Sequence, residues 1–282
     1  MLLVNLGCGN TYHKNWLNID FISNSKFLKS HDLRRGIPLE DNTVDVVYHS
    51  HVLEHFTKED GKAFIGECYR VLKPNGIIRI AVPDLETIAR EYIKNLDLAD
   101  ENDSMAEMNY EWITTELFDQ MVRNKSGGSM ISYLSNPNLE NEKYVYQRWG
   151  YEAKNLRSNL LQEIKKNEDI KTTRIVKQSF FKKFKRKFKN GVLKLFDVKA
   201  EKLSPEDREA LQIGKFRVGG EVHQWMYDRY SLKKLLLESG FCTVKIKDGY
   251  NSEIPNWEKY HLDLVDGEVR KPDSLFMEAR KV

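Results

Sequence analysis

Short apolar runs, punctuated by glycine, proline and charge, dominate the first hundred positions. Segments 2–6, 16–20, 28–31, 44–48 and 76–82 are alternating or continuous apolar stretches of strand length. Between the last two, residues 58–72 carry apolar side chains at helical spacing. Lys73-Pro74-Asn75-Gly76 then stops that helix and launches the next strand. Leu85, Ile88, Ala89, Tyr92 and Ile93 repeat at the helical period and predict a helix over 84–96. Late in the chain, 230–239 reads as a helix with Ser231 as its cap and Gly240 as its stop, followed by strands at 241–247 and 274–281. This alternation predicts an α/β fold, a mainly parallel sheet with helices on both faces.

Residues 97–220 break the alternation. They read as helical over 105–122, 151–166 and 178–196, with a loop at Ser126-Gly127-Gly128-Ser129. A structureless connection of that length is implausible, so 97–220 is expected to be a helical insertion after the fifth strand, covering the ligand. Its aromatics, Tyr110, Trp112, Phe118, Tyr133, Tyr144, Tyr146, Trp149 and Tyr151, are expected mostly in its core. The parent domain is then 1–96 with 221–282.

At 282 residues and 40% hydrophobic content, the chain can hold one large domain with an insertion. No apolar run approaches the roughly 18 residues needed to span a bilayer. The first strand starts at once, leaving no room for a signal peptide ahead of it. Cys8, Cys68 and Cys242 are scattered, with neither metal spacing nor a disulfide framework, which fits a reducing cytoplasm. Cys8 reads as a small turn residue rather than a nucleophile.

The net charge of +3 conceals an asymmetry: between Lys165 and Lys194 twelve Lys or Arg face two acids, so the rest of the chain is acidic, at −7. Within the basic segment 171–196, Phe181, Phe184, Phe188, Val192 and Leu195 fall on one helical stripe with lysines around it. Segment 178–196 suits a helix lying on an anionic membrane surface, at the inner face of the membrane; a solvated basic face of an ordinary lid helix is the alternative. Nucleic acid is disfavoured as a partner, because a basic patch alone gives only non-specific binding.

The chemistry gathers at the ends of strands. Val4-Asn5-Leu6-Gly7-Cys8-Gly9-Asn10 is a strand running into a glycine turn, and Trp16-Leu17-Asn18-Ile19-Asp20 is a strand closed by a carboxylate. A small-residue turn admits a ligand close to the backbone, and the acid can accept from both ribose hydroxyls of a nucleoside. Residues 10–14 are too few for a full helix before the second strand. A dinucleotide, whose pyrophosphate needs a helix end, is therefore disfavoured.

His31-Asp32-Leu33 follows, then Ile37-Pro38-Leu39-Glu40-Asp41-Asn42-Thr43-Val44-Asp45-Val46-Val47-Tyr48, then His51-Val52-Leu53-Glu54-His55, with Lys73-Pro74-Asn75-Gly76 and Pro83-Asp84 beyond. This succession resembles the class I S-adenosylmethionine-dependent methyltransferases, specifically the type 11 group associated with polysaccharide and lipopolysaccharide biosynthesis. The resemblance covers residues 1 to about 95 and resumes near 221 with His223-Gln224-Trp225-Met226-Tyr227-Asp228. It implies a Rossmann-like seven-stranded sheet whose last strand is antiparallel, and S-adenosylmethionine as cofactor. It further implies that Leu6, Gly7, Cys8, Gly9 and Asn10 line the cofactor, that Asp20 takes the ribose, that Asp32 and Leu33 meet the adenine, and that Ser50 and His51 border the sulfonium and the acceptor.

An acceptor hydroxyl benefits from a general base, for which His51, His223 and Asp84 are the candidates. Histidine titrates in the useful range, and Asp84 stands at a carboxyl strand end, where it would equally serve as a helix cap. His51 and His55, four apart, could share a metal, but Glu54 and His55 are expected to bond neighbouring backbone, and no metal is expected. The acceptor implied is a sugar hydroxyl or phosphate of a surface glycan or its precursor. A small-molecule or lipid O-methyltransferase, and a non-catalytic cofactor-binding scaffold at the membrane, stay open. In place of the Asn/Asp-Pro-Pro-aromatic of amino-methylating nucleic-acid enzymes, the chain has Tyr48-His49-Ser50-His51.

Overall fold

The computed structural model describes residues 1–23, 25–101, 103–171 and 204–282. Strands β1 (Leu3–Leu6), β2 (Leu17–Asp20), β3 (Leu28–Ser30), β4 (Val44–Ser50), β5 (Leu72–Pro83), β6 (Phe241–Lys247) and the final β9 (Ser274–Lys281) form one sheet in the order β3-β2-β1-β4-β5-β9-β6. β9 pairs antiparallel with both β5 and β6, and the other neighbours pair parallel. The sheet is therefore the seven-stranded one expected, with its last strand reversed. Two short strands, β7 (Leu264–Val265) and β8 (Glu268–Val269), make a separate hairpin.

β1 is buried along its whole length, and β5 from Gly76 to Pro83, because both faces of the sheet are covered. On one face lie α1 (Lys58–Val71) and α7 (Arg229–Glu238), whose Phe64, Ile65, Leu232 and Leu236 pack on Val4, Leu6, Val47, Ile78 and Ile80. The cap of α7 is Asp228 rather than Ser231. Ser231 sits at the third helical position, where its hydroxyl accepts from the Asp228 backbone N–H while the Asp228 carboxylate accepts from Ser231 N, a reciprocal arrangement.

The other face is covered differently from expectation. Residues 7–16 hold no helix, and the loop after β6 takes the place of one: Ile254, Trp257 and Leu262 pack on Leu3, Trp16, Val46, Tyr48 and Ile77. The Trp16 ring meets Tyr48, Trp257 and Tyr260 edge-on at 6.1, 6.1 and 5.2 Å. Arg79, fully buried on β5, ties this loop down. It donates to Asp263 (2.8 Å), to Glu278 on β9 (2.8 Å) and to the carbonyls of Asn251 (3.0 Å) and Asp248 (2.7 Å). Its guanidinium lies 4.6 Å from the Trp257 ring centre.

After β5 come α2 (Leu85–Asp100), α3 (Ser104–Val122), α4 (Gly128–Leu134), α5 (Glu142–Lys171) and, beyond the undescribed stretch, α6 (Pro205–Arg217). Trp112, Met130, Leu134, Val145 and Ala153 form a separate core, with Tyr133, Tyr144, Tyr146 and Trp149 around it, so those aromatics are packing residues as expected. Part of the expected loop at 126–129 is instead the entry to α4, where a Cβ on Gly128 would strike the Asp119 carboxylate at 2.2 Å. α5 begins at Glu142 rather than 151 and is broken at Gly150, whose φ of 58° a larger residue rarely adopts. α6 buries no residue and so left no periodic signal to read. The helix expected over 178–196 lies outside the described residues.

Candidate functional site

The carboxyl ends of β1 and β4 open on a cleft of about 250 Å³, the place where open α/β sheets bind ligands. Its floor is the turn after β1. Gly7 and Gly9 have φ of 62° and 53°, and a Cβ on Gly7 would stand 2.4 Å from Val52 Cγ2, whereas one on Gly9 would meet open space. Two hydrogen bonds hold the turn against β2: Gly7 N donates to Ile19 O (2.8 Å) and Gly9 N to Asp20 Oδ2 (2.7 Å). Asp20 Oδ1 accepts from Ile22 N (3.1 Å). Asp20 thus supports the glycine turn from below while staying partly exposed. Burial, with help from Asp20, pushes the Cys8 thiol up to about 12, which leaves it an inert small side chain.

One wall comes from β4 and the residue after it. Ser50 and His51 line the cleft; His51 N donates to Ala81 O (2.9 Å) and the residue adopts a φ of 56°, unusual for a side chain of its size. Its Nε2 lies 2.8 Å from Ser274 Oγ and its Nδ1 3.1 Å from Glu54 Oε1. Burial, then the charges of Lys271 and Arg270, hold His51 well below the usual histidine range, so the ring is neutral at pH 7. Burial likewise pushes the Glu54 carboxyl up to about 8.

The opposite wall carries charge. Arg270 and Lys271, between β8 and β9, line the cleft together with Glu152 on α5. Arg270 Nη2 donates to Ser50 Oγ (3.0 Å) and its Nη1 pairs with Glu152 Oε1 (2.5 Å), while Lys271 Nζ lies 3.1 Å from Glu152 Oε2. Burial alone would raise the Glu152 carboxyl, but Lys271 and Arg270 bring it below its ordinary value.

Of the residues singled out by sequence, the cleft gathers Gly7, Cys8, Gly9, Asn10, Ser50 and His51. Leu6 is fully buried beneath the turn. Asp32 does not present a free carboxylate: Arg34 engages it through its backbone N (3.1 Å), Nε (2.9 Å) and Nη2 (2.9 Å), and Asp32 caps the short turn Leu33–Arg35. Asp84 is outside the cleft lining and caps α2, accepting from Glu86 N (3.1 Å) and from the Thr87 hydroxyl. His223 is buried behind Glu54, its Nε2 4.0 Å from Glu54 Oε1 and its ring edge-on to His55 at 4.8 Å, and does not line the cleft. Glu152, Arg270 and Lys271 were missed. The adjacent cations before the last strand were a signal, but only the chain's return past the sheet edge brings them to the glycine turn.

Residues 4–80 match the family model described as a methyltransferase domain. A curated Mycolicibacterium smegmatis protein described as a probable S-adenosylmethionine-dependent methyltransferase is 39% identical over 62 residues, covering 21% of this chain and 23% of that protein. The chain therefore spans about a quarter of the curated relative it matches. Among solved structures, an Archaeoglobus fulgidus SAM-dependent methyltransferase aligns with a TM-score of 0.38 at 13% identity, over 99% of this chain and 86% of that one. The Burkholderia thailandensis 1,6-didemethyltoxoflavin-N1-methyltransferase, solved with S-adenosylhomocysteine, aligns with a TM-score of 0.26 at 12% identity, over 29% and 45%. The segment that builds β1 to β5, with its glycine turn, is thus the part of the chain that is similar to methyltransferase domains.

Proposed function

We propose that the protein methylates a hydroxyl of a negatively charged, sugar-containing acceptor, such as a sugar phosphate or a nucleotide- or lipid-linked precursor of a surface glycan. The observation that carries this reading is that His51, Arg270 and Lys271 line the same cleft as the Gly7-Cys8-Gly9 turn.

The residues present fit the cofactor. Gly9 leaves open space above the turn, Asp20 at its base keeps a partly exposed carboxylate for a ribose, and the exposed Phe21 and Ile22 beside it offer apolar surface to an adenine. Bound there, S-adenosylmethionine supplies a methyl group already activated on a sulfonium. Alignment is then the main task left to the protein, and positioning can contribute roughly 7–11 kcal/mol in ideal cases. Arg270 and Lys271 serve it by holding the acceptor's anionic group, which takes the place of Glu152 on the two cations. His51 is neutral, with Nδ1 3.1 Å from Glu54 Oε1 and Nε2 2.8 Å from Ser274 Oγ; an acceptor hydroxyl that displaces the Ser274 hydroxyl would bring to Nε2 the proton it loses.

The test compares matched acceptors. S-adenosylhomocysteine release is followed with sugar phosphates or nucleotide sugars and with their neutral glycosides. The reading expects turnover with the charged members and a raised KM for them in Lys271→Ala. Equal turnover of neutral glycosides, or a KM indifferent to Lys271, overturns it.

A further inference from the structure

We infer that Glu54, His55 and His223 form a binding site for one zinc-like divalent transition-metal ion, set directly behind His51. The ligand-capable atoms of these three side chains all lie within 4.8 Å of one another. Glu54 is fully buried and His223 only 5% exposed. Glu54 Oε2, His55 Nδ1 and His223 Nδ1 are buried without a hydrogen-bond partner, and Glu54 Oε1 has only the His51 ring nitrogen near it, at 3.1 Å. Buried polar groups are normally satisfied, and a buried carboxylate most of all. Here one ligand atom from each of three buried or half-buried side chains lies in one small volume, and a single cation would satisfy them together.

The backbone holds these ligands in place. Glu54 and His55 sit in the short turn Leu53–His55 after β4, where Glu54 O accepts from Gln224 N (2.7 Å) and Trp225 N (3.2 Å). His223 N donates to Gln120 O (3.0 Å). His55 packs edge-on against His223 at 4.8 Å, and its Nδ1 is left without a hydrogen-bond partner. The charged neighbours are otherwise committed: Arg123 pairs with Asp119 and Glu221, and Lys271 with Glu152.

Two imidazoles and one carboxylate suit zinc and its late first-row neighbours, and not magnesium or calcium, which take oxygen ligands. Ligands on a tetrahedral zinc stand about 3.3 Å apart, so binding draws the three side chains together. Because Glu54 Oε1 is also 3.1 Å from His51 Nδ1, the ion would fix the carboxylate that orients His51. Its role is positioning, and the site stands independently of the acceptor's identity.

Chelator-treated full-length protein is titrated with Zn²⁺ by calorimetry and with Co²⁺ by visible absorption. One equivalent of each is expected, with the strong ligand-field bands of low-coordinate Co²⁺. Glu54→Gln and His223→Ala should each weaken binding by about a hundredfold, while His261→Ala leaves it unchanged; circular dichroism confirms that each variant is folded. Absence of saturable binding in the wild-type protein overturns the inference, as does binding that survives both variants. S-adenosylhomocysteine affinity is measured on the same samples, so retained cofactor binding without metal binding removes this site alone.

Discussion

Replacing Arg79 with Ala should cost the fold more than any surface change, and the cost should depend on pH. The guanidinium is fully buried and serves two carboxylates, Asp263 and Glu278, whose side chains are 1% and 3% exposed. Removing it leaves both acids in the interior without their cation, a loss of about 3–5 kcal/mol for a broken buried pair. Even with Arg79 present, burial holds the Asp263 carboxyl above its ordinary value. In the variant Asp263 must shift further up, so the folded state binds more protons than the unfolded one. Stability relative to wild type then falls as pH rises through and above the usual carboxylate range, and recovers toward acid. Urea unfolding at pH 5 and pH 8 reads this directly, with the larger deficit at pH 8. The loop released is the one that delivers Arg270, whose N–H donates to Asp263 O at 2.8 Å, so KM for the acceptor should rise as well. A deficit under about 1 kcal/mol, or one that is flat with pH, refutes the reasoning.

Other outcomes follow from the same geometry. His51→Ala should lower turnover by about 10²–10⁴-fold while leaving S-adenosylhomocysteine affinity intact, as single- and multiple-turnover assays would show. Because His51 lies well below the ordinary histidine range, the rate should stay level as pH falls through about 6.5 and decline only below it. Glu152→Gln removes the acid that occupies Arg270 and Lys271 and should lower KM for a charged acceptor, measured by initial rates. Alkylation of the native protein at pH 8 should modify Cys242, which is partly exposed, and spare the buried Cys8 and Cys68, by mass spectrometry. From sequence alone, the apolar stripe expected at 178–196, outside the described residues, predicts flotation with anionic vesicles that Phe184→Ser with Phe188→Ser abolishes.

The elements legible in the sequence were those whose pattern is local. β6 and β9 run over the predicted residues, whereas α1 ends at Val71 and β5 already runs from Leu72, so that Lys73-Pro74-Asn75-Gly76, read as a turn, lies within the strand. The glycine turn and its partner Asp20 were legible because both lie on adjacent strands close in sequence. What escaped was long-range. The 248–273 segment has little periodicity, yet it covers one face of the sheet with Trp257 and supplies Arg270 and Lys271 to the cleft. Asp84 was ambiguous for a different reason: a carboxylate ahead of a helical turn reads alike as cap and as ligand, and the structure gives it a capping bond, as it does Asp32, which was read only as an adenine contact. His223 was read as a candidate base, but it lies buried behind Glu54 and does not line the cleft, a placement that depends on packing no single-residue pattern encodes.

The central claim is that the cleft over Gly7-Cys8-Gly9 is where the methyl donor rests. Calorimetric titration with S-adenosylhomocysteine tests it most directly. The account predicts one saturable site in the wild-type protein. Asp20→Ala should weaken it at least about tenfold, since each hydrogen bond to a charged acceptor contributes roughly 1.5–3 kcal/mol. Gly7→Val should abolish it, because its side chain would collide with Val52. No binding by the wild-type protein, or undiminished affinity in both variants, would contradict it.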